Sequence, residues 1–163
     1  NVPADSSYER VVLHARDEKA AGTAGGTFTS GAAQTRTLNT ASVNDITGAS
    51  LASNQITLPA GTYRIRARSP AHLVDQHWAW LYNVTDAADT LIGSSCYADA
   101  LNNVTNEAWV IGQFTIAAQK TFELRHRCAT TKNTDGFGVT HGTATEVYAE
   151  VWITQARTNI IKT

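Results

Sequence analysis

The sequence predicts a single all-β domain built as a sandwich or barrel. Apolar and polar residues alternate with period two through roughly eight to ten short runs. The connections between them are rich in Thr, Ser, Ala, Asn and Gly, and no stretch holds a helical period for a useful length. At 163 residues the chain fits one domain and is long enough to bury a core without staples.

The elements follow in order. Tyr8 to Asp17 opens the series, with Val11, Leu13 and Ala15 on one face. Gly22 to Gly26 reads as a flexible turn, Thr27-Phe28-Thr29 as a short strand and Gln34 to Asn39 as another. Gln55-Ile56-Thr57-Leu58 runs into Pro59-Ala60-Gly61, which predicts a type II turn with glycine where positive φ is needed. Thr62 to Ser69 is the clearest strand: Tyr63, Ile65 and Ala67 share one face, Arg64, Arg66 and Arg68 the other. His77 to Val84 sets Ala79 and Leu81 against Trp78, Trp80 and Tyr82. Thr90 to Tyr97 and Glu107 to Ile116 follow, the latter with Val110, Phe114 and Ile116 in register. Thr121 to Cys128 places Phe122, Leu124, His126 and Cys128 opposite Glu123, Arg125 and Arg127. Glu146 to Gln155 closes the set, with Val147, Ala149, Val151 and Ile153 opposite Tyr148, Glu150 and Trp152. The expected divisions are a linker or stem end at 1–7, the domain at 8–157 and a tail at 158–163.

Composition narrows the function classes. A net charge of −1 and a pI of about 6.6 do not supply the basic face that nucleic acid requires, and no apolar run is long enough for a spanning helix, so neither nucleic acid nor membrane insertion is expected. The absence of methionine and a start lacking a signal-like pattern suggest a domain cut from a longer protein. Cys96 and Cys128 are too few for a disulfide scaffold; one bridge or two buried thiols are the options. Asn83-Val84-Thr85 and Asn103-Val104-Thr105 match the glycosylation sequon, which matters only on a eukaryotic secretory route.

Catalytic and metal patterns are absent. His14, His72, His77, His126 and His141 lack metal-ligand spacing, and no Cys-x-x-Cys or Gly-x-Ser-x-Gly pattern occurs. His126, on an apolar face, reads as a hydrogen-bonded core histidine. Asp86 and Asp89 offer oxygens for calcium, but turn chemistry explains them better. Neither an enzyme nor a cofactor is expected.

Three strands break the one-sided pattern of a solvated sandwich. Tyr148 and Trp152 lie opposite an apolar row, Trp109 and Ile111 lie opposite Val110 and Phe114, and Val12 lies opposite Val11 and Leu13. Strands apolar on both faces need a second partner, unless these aromatics are core at a misjudged register.

The order Gly22-Thr23, Gly25-Gly26-Thr27-Phe28, Thr35-Arg36-Thr37-Leu38-Asn39, Ile56 to Tyr63 and Ser69-Pro70-Ala71 resembles the C-terminal domain of bacteriophage tail fibres and tailspikes. Leu81-Tyr82-Asn83, Leu91-Ile92-Gly93, Gly112 to Ile116, Phe122-Glu123-Leu124 and Glu146 to Val151 extend the likeness along the chain. The Leu58-Pro59-Ala60-Gly61-Thr62-Tyr63 entry is also similar to the C1q and tumour-necrosis-factor group. That resemblance implies a jelly roll of two five-stranded antiparallel sheets, assembled as a homotrimer. In that order Arg64, Arg66, Arg68, Trp109, Ile111, Tyr148, Glu150 and Trp152 would line the three-fold axis, with Glu150 as counter-charge to the arginines. Three copies of His14 near the axis could hold a metal, although a lone histidine is more often structural.

The same order sets the row Trp78, Trp80 and Tyr82 beside Arg125 and Arg127. Rings that stack on sugars, next to arginines that bind hydroxyls or acidic groups, suggest a glycan-contacting face. The plainer alternative is tryptophans packed under a loop such as 98–106 or against another protein. The expectation is therefore a virion module, on a tail fibre or spike, that trimerises below upstream fibre or spike domains and contacts bacterial surface polysaccharide. A capsid decoration trimer and a secreted lectin-like module are the alternatives.

Overall fold

A computed structural model describes residues 11–156. The expected stem end at 1–7, the opening residues of the first strand and the tail at 158–163 lie outside them. Eleven strands form: β1 (Val12–Lys19), β2 (Gln34–Thr35), β3 (Thr40–Asn44), β4 (Ser50–Ala52), β5 (Gln55–Leu58), β6 (Gly61–His72), β7 (Asp75–Asn83), β8 (Ala88–Ala98), β9 (Thr105–Ile116), β10 (Lys120–Cys128) and β11 (Glu146–Gln155). The first sheet runs β3-β1-β11-β6-β9, the second β4-β5-β10-β7-β8, with β2 added on β10. The second sheet therefore has six strands where five were expected. All the named pairings are antiparallel.

The alternation read from the sequence is the core. Leu13, Ala15, Tyr63, Ile65, Ala67, Val110, Phe114, Ala149, Val151 and Ile153 from the first sheet meet Ile56, Leu58, Ala79, Leu81, Phe122 and Leu124 from the second. Burying such side chains contributes roughly 1.5–3 kcal/mol each for the larger ones. Strands β6 and β9 pair over their full length, Gly61 with Ile116 through His72 with Thr105. Strands β8 and β9 close one side of the sandwich, where the Trp109 amide donates to Ser94 Oγ and the Cys96 thiol to the Glu107 carbonyl.

Local expectations needed revision at four places. Gly61 begins β6 without positive φ, so the type II turn does not form there. Glycine serves close approach instead, since a Cβ would sit 3.1 Å from both Gln155 Nε2 and Tyr63 Oη. The Thr27–Thr29 strand reduces to one bridge, Phe28 with Lys132. Only Gln34 and Thr35 of the 34–39 run pair, whereas β3 and β4 were not anticipated. Val147 leaves the apolar row because β11 bulges where Tyr148 and Ala149 together oppose Asp17 of β1, and Glu146 is buried in its place.

One end of the sandwich holds a second small core, Phe28, Ala71, Val74, Ala98 and Cys128 with Phe137 against them. Arg36 is buried beside it, 1% exposed. It donates to the Pro70 carbonyl at 3.1 Å and the Phe137 carbonyl at 3.3 Å, and its guanidinium sits 4.1 Å from the Phe137 ring centroid. These contacts tie β6 and the 136–138 loop to the β2 region. Arg36 NH1 also lies 3.5 Å from His126 Nδ1, and His126 Nε2 lies 3.0 Å from His77 Nδ1. Arginine has donors only. Nδ1 of His126 must therefore accept, its Nε2–H donates to His77, and the His77 Nε2–H is left buried without an acceptor. His126 is thus the core histidine the sequence suggested, and both rings are held neutral. Burial first, and then the nearby Arg36 charge, pulls His77 down to about 4 and His126 well below its ordinary value.

Two expected outcomes follow from this core. The unfolded chain binds protons at His77 and His126 below about pH 6.5 that the folded chain refuses. Folding stability should therefore fall as pH drops from 7 to 5, by about 2 kcal/mol from His77 alone. Urea midpoints across that range should show the decline, and His77→Leu should flatten it; equal slopes would contradict the neutral pair. Separately, a Cβ at Gly93 would press into the carbonyls of Trp109 and Ala79, which are backbone and cannot yield. Gly93→Ala should cost about 1–3 kcal/mol or more by chemical denaturation.

Candidate functional site: two opposite sheet faces

The outward face of the first sheet is a lattice of polar and aromatic side chains across four strands. Its centre is Glu150 on β11, whose carboxylate accepts from Arg68 Nε at 2.6 Å and contacts His14 Nε2 at 3.1 Å. Arg68 also donates from NH1 to Glu107 on β9 at 2.6 Å. Burial opposes the Arg68 charge, but the hydrogen bonds it donates to these two carboxylates outweigh it and raise its pKa. His14 stacks on Trp152, with ring centroids 4.6 Å apart and planes at 15°, and its Nδ1 lies 2.8 Å from Ser42 Oγ. Register explains the grouping: His14, Trp152, Arg66 and Ile111 form one row, and Arg16, Glu150, Arg68 and Trp109 the next.

Seven of the eight residues expected on this face lie outward. Arg64 donates to Gln113 at 3.2 Å, and Arg66 stands 4.6 Å over the Trp109 ring. Glu150 therefore pairs with one of the three arginines inside the chain. Trp109 and Trp152 are half-buried, and Ile111 is 66% exposed. Tyr148 is the exception. It is buried, donates to the Thr23 carbonyl at 2.8 Å and packs where a Cβ on Gly138 would clash with its ring. The chain's own loops cover it, so it is not available as an interface residue. His14 is committed to Glu150, Trp152 and Ser42. Glu107 and Ser42 were not singled out from the sequence; their roles follow from cross-strand register, which a lone sequence does not fix.

The second sheet's outward face carries the aromatic row. On β7, Trp78, Trp80 and Tyr82 stand opposite Arg127, Arg125 and Glu123 of β10. Trp78 and Trp80 stack with centroids 6.3 Å apart. Trp80 is 8% exposed, and its indole N–H has no acceptor, so the row is less open than its alternation implies. The Arg125 guanidinium lies 3.3 Å from the Tyr82 ring centroid and donates from Nε to Glu123 at 3.0 Å. Glu123 also accepts from Gln55 and Thr35, each at 2.9 Å. Burial would raise the Glu123 pKa, but these hydrogen bonds outweigh it and hold the carboxyl below its usual range. Arg127 is exposed, 5.7 Å from the Trp78 ring centroid.

Other candidate ligands resolve into structural roles. Asp86 caps a turn: its amide donates to Asn83 Oδ1, Asn83 Nδ2 donates back at 2.8 Å, and Lys120 pairs with it at 2.5 Å. Cys96 and Cys128 are free thiols that flank His77 on opposite neighbouring strands, about 10 Å apart across two strand spacings and beyond disulfide reach. Among the described residues, no three His, Cys, Asp or Glu side chains converge as metal ligands.

No family model matches the chain, and no curated protein matches it. Solved structures do resemble it. Murine APRIL at pH 8.5 superposes with a TM-score of 0.57 at 9% identity, covering 91% of this chain and all of that one. Murine APRIL at pH 5.0 gives 0.58 at 7% identity over the same shares. The globular domain of zebrafish complement 1qA gives 0.57 at 10% identity, covering 93% of this chain and all of that one. At such identities the likeness concerns the fold: the chain is a C1q/TNF-like jelly roll of two antiparallel sheets.

Proposed function

We propose that the chain is a homotrimeric, non-catalytic binding module of a phage virion, the C-terminal domain of a tail fibre or tailspike. It holds three chains in register through its first sheet and contacts host-surface glycan through its second. One observation carries the trimer. The first sheet presents a face with Glu150, Arg68 and Glu107 paired at its centre, two half-buried indoles and Ile111 66% exposed at its margin, and none of the described residues covers it. Closed three-fold rings need two complementary patches on each chain. The flat face supplies one, and the β8–β9 seam, with Ile92 and Ile111 exposed on either side, supplies the other. The C1q/TNF-like fold is consistent with this arrangement.

Two observations favour the virion over a secreted origin. The sequence order that resembles tail-fibre and tailspike domains spans nearly the whole chain. Both cysteines are free thiols too far apart to bond, which suits a protein assembled in a reducing cytosol. Apart from its edge strand β8, the second sheet takes no part in the proposed contact, which leaves Arg125, Arg127 and Trp78 for a ligand.

Replacing Ile111 with Asp tests the assembly, because so exposed a side chain costs the isolated fold little. Sedimentation velocity should show the mass falling from three chains to one, with the β-type circular dichroism retained. An unchanged mass would overturn the use of this face.

A further inference from the structure

We infer that Trp78 and Arg127, backed by Arg125, form a subsite for an acidic sugar, a saccharide ring bearing a carboxylate. The inference rests on the glycan-contact reading above and names its substrate class. Two arginines on this face share one acid. Arg125 is held by Glu123 and the Tyr82 ring, and Glu123 is in turn held by Gln55 and Thr35. Arg127 has no carboxylate partner among the described residues and is exposed. Its guanidinium stands over the Trp78 ring at 5.7 Å from the centroid, looser than the 3.3 Å of Arg125 on Tyr82, on a chain whose net charge is −1. Alternate residues of a strand stand about 7 Å apart, so the two arginines leave β10 at about the width of a monosaccharide.

The patch suits a sugar better than a protein. Trp80 is buried and Tyr82 is capped by Arg125, which leaves the half-buried Trp78 indole with the exposed Ile92 and Tyr97 of β8 as scattered apolar side chains among polar ones. A pyranose can lay its C–H face on Trp78 and set its carboxylate on the Arg127 fork, which is planar and bidentate. Ser95, exposed and opposite Trp78 on β8, adds a hydroxyl for hydrogen bonding.

The test is tryptophan fluorescence and calorimetric titration of the full chain with oligogalacturonate, oligoglucuronate and oligosialate, each beside its carboxyl-reduced neutral form. At least one acidic member should bind, and carboxyl reduction should weaken it roughly tenfold or more. Arg127→Gln should weaken it to the same degree, and Trp78→Ala should remove the fluorescence response, with solution mass and circular dichroism unchanged in both. Failure of every acidic member, equal binding of the reduced forms, or an unaffected Arg127→Gln would each overturn the inference. So would a Trp78 already shielded from acrylamide in the sugar-free assembly, which would assign the patch to a second copy. Binding of neutral sugars alone would leave glycan contact standing and sink the acidic assignment. A monomer that binds the acids would sink the trimer and leave this subsite.

Discussion

Glu150 is the group on which the first sheet's outer face depends. One carboxylate, mostly shielded from water, joins β1 through His14 and β6 through Arg68, and Arg68 carries the tie to Glu107 on β9. Four strands are thereby fixed side chain to side chain on the face opposite the core. A shielded carboxylate without these partners would be costly, and the arginine would be left uncompensated as well. With them in place the four strands are tied together on that face before any partner arrives. Preorganisation of that kind reduces the entropy lost on association.

The second sheet repeats the device with a different result. Glu123 is held by three donors and fixes Arg125 on Tyr82, yet no acid serves Arg127. On the first sheet the arginines that Glu150 does not serve turn to Gln113 and the Trp109 ring, and on the second Arg127 stands exposed beside the Trp78 indole. That asymmetry separates self-association from ligand contact on two sides of one sandwich. The end of the sandwich is held differently again, by a buried arginine whose donors satisfy carbonyls from two segments and set the tautomers of two histidines. Such a network stabilises the end only while both rings stay neutral.

Much of this was legible in the sequence where one face of a strand is buried. Tyr63, Ile65 and Ala67 against Arg64, Arg66 and Arg68 state both the core and the outer face of β6, and β10, β7 apart from Trp80, and β11 from Ala149 onward read the same way. Strand β3 was not legible because Thr40 to Asn44 is an edge with mostly exposed residues, so nothing drives alternation. Tyr148 was read as an interface residue because its cover, the Thr23 carbonyl, lies 125 residues away. Arg36 gave no signal at all, since its partners are backbone carbonyls that any residue supplies. Glu150 was read as counter-charge to all three arginines at an axis; within the chain Arg68 takes it while Arg64 and Arg66 turn to Gln113 and Trp109, a division that only register shows.

The most direct test is the solution mass of the purified chain, by light scattering over a wide dilution range. Association through the Glu150-centred face predicts a mass of three 17.5 kDa chains that persists on dilution. A stable monomer throughout that range would contradict it, and the outward face of the first sheet would then need a different partner.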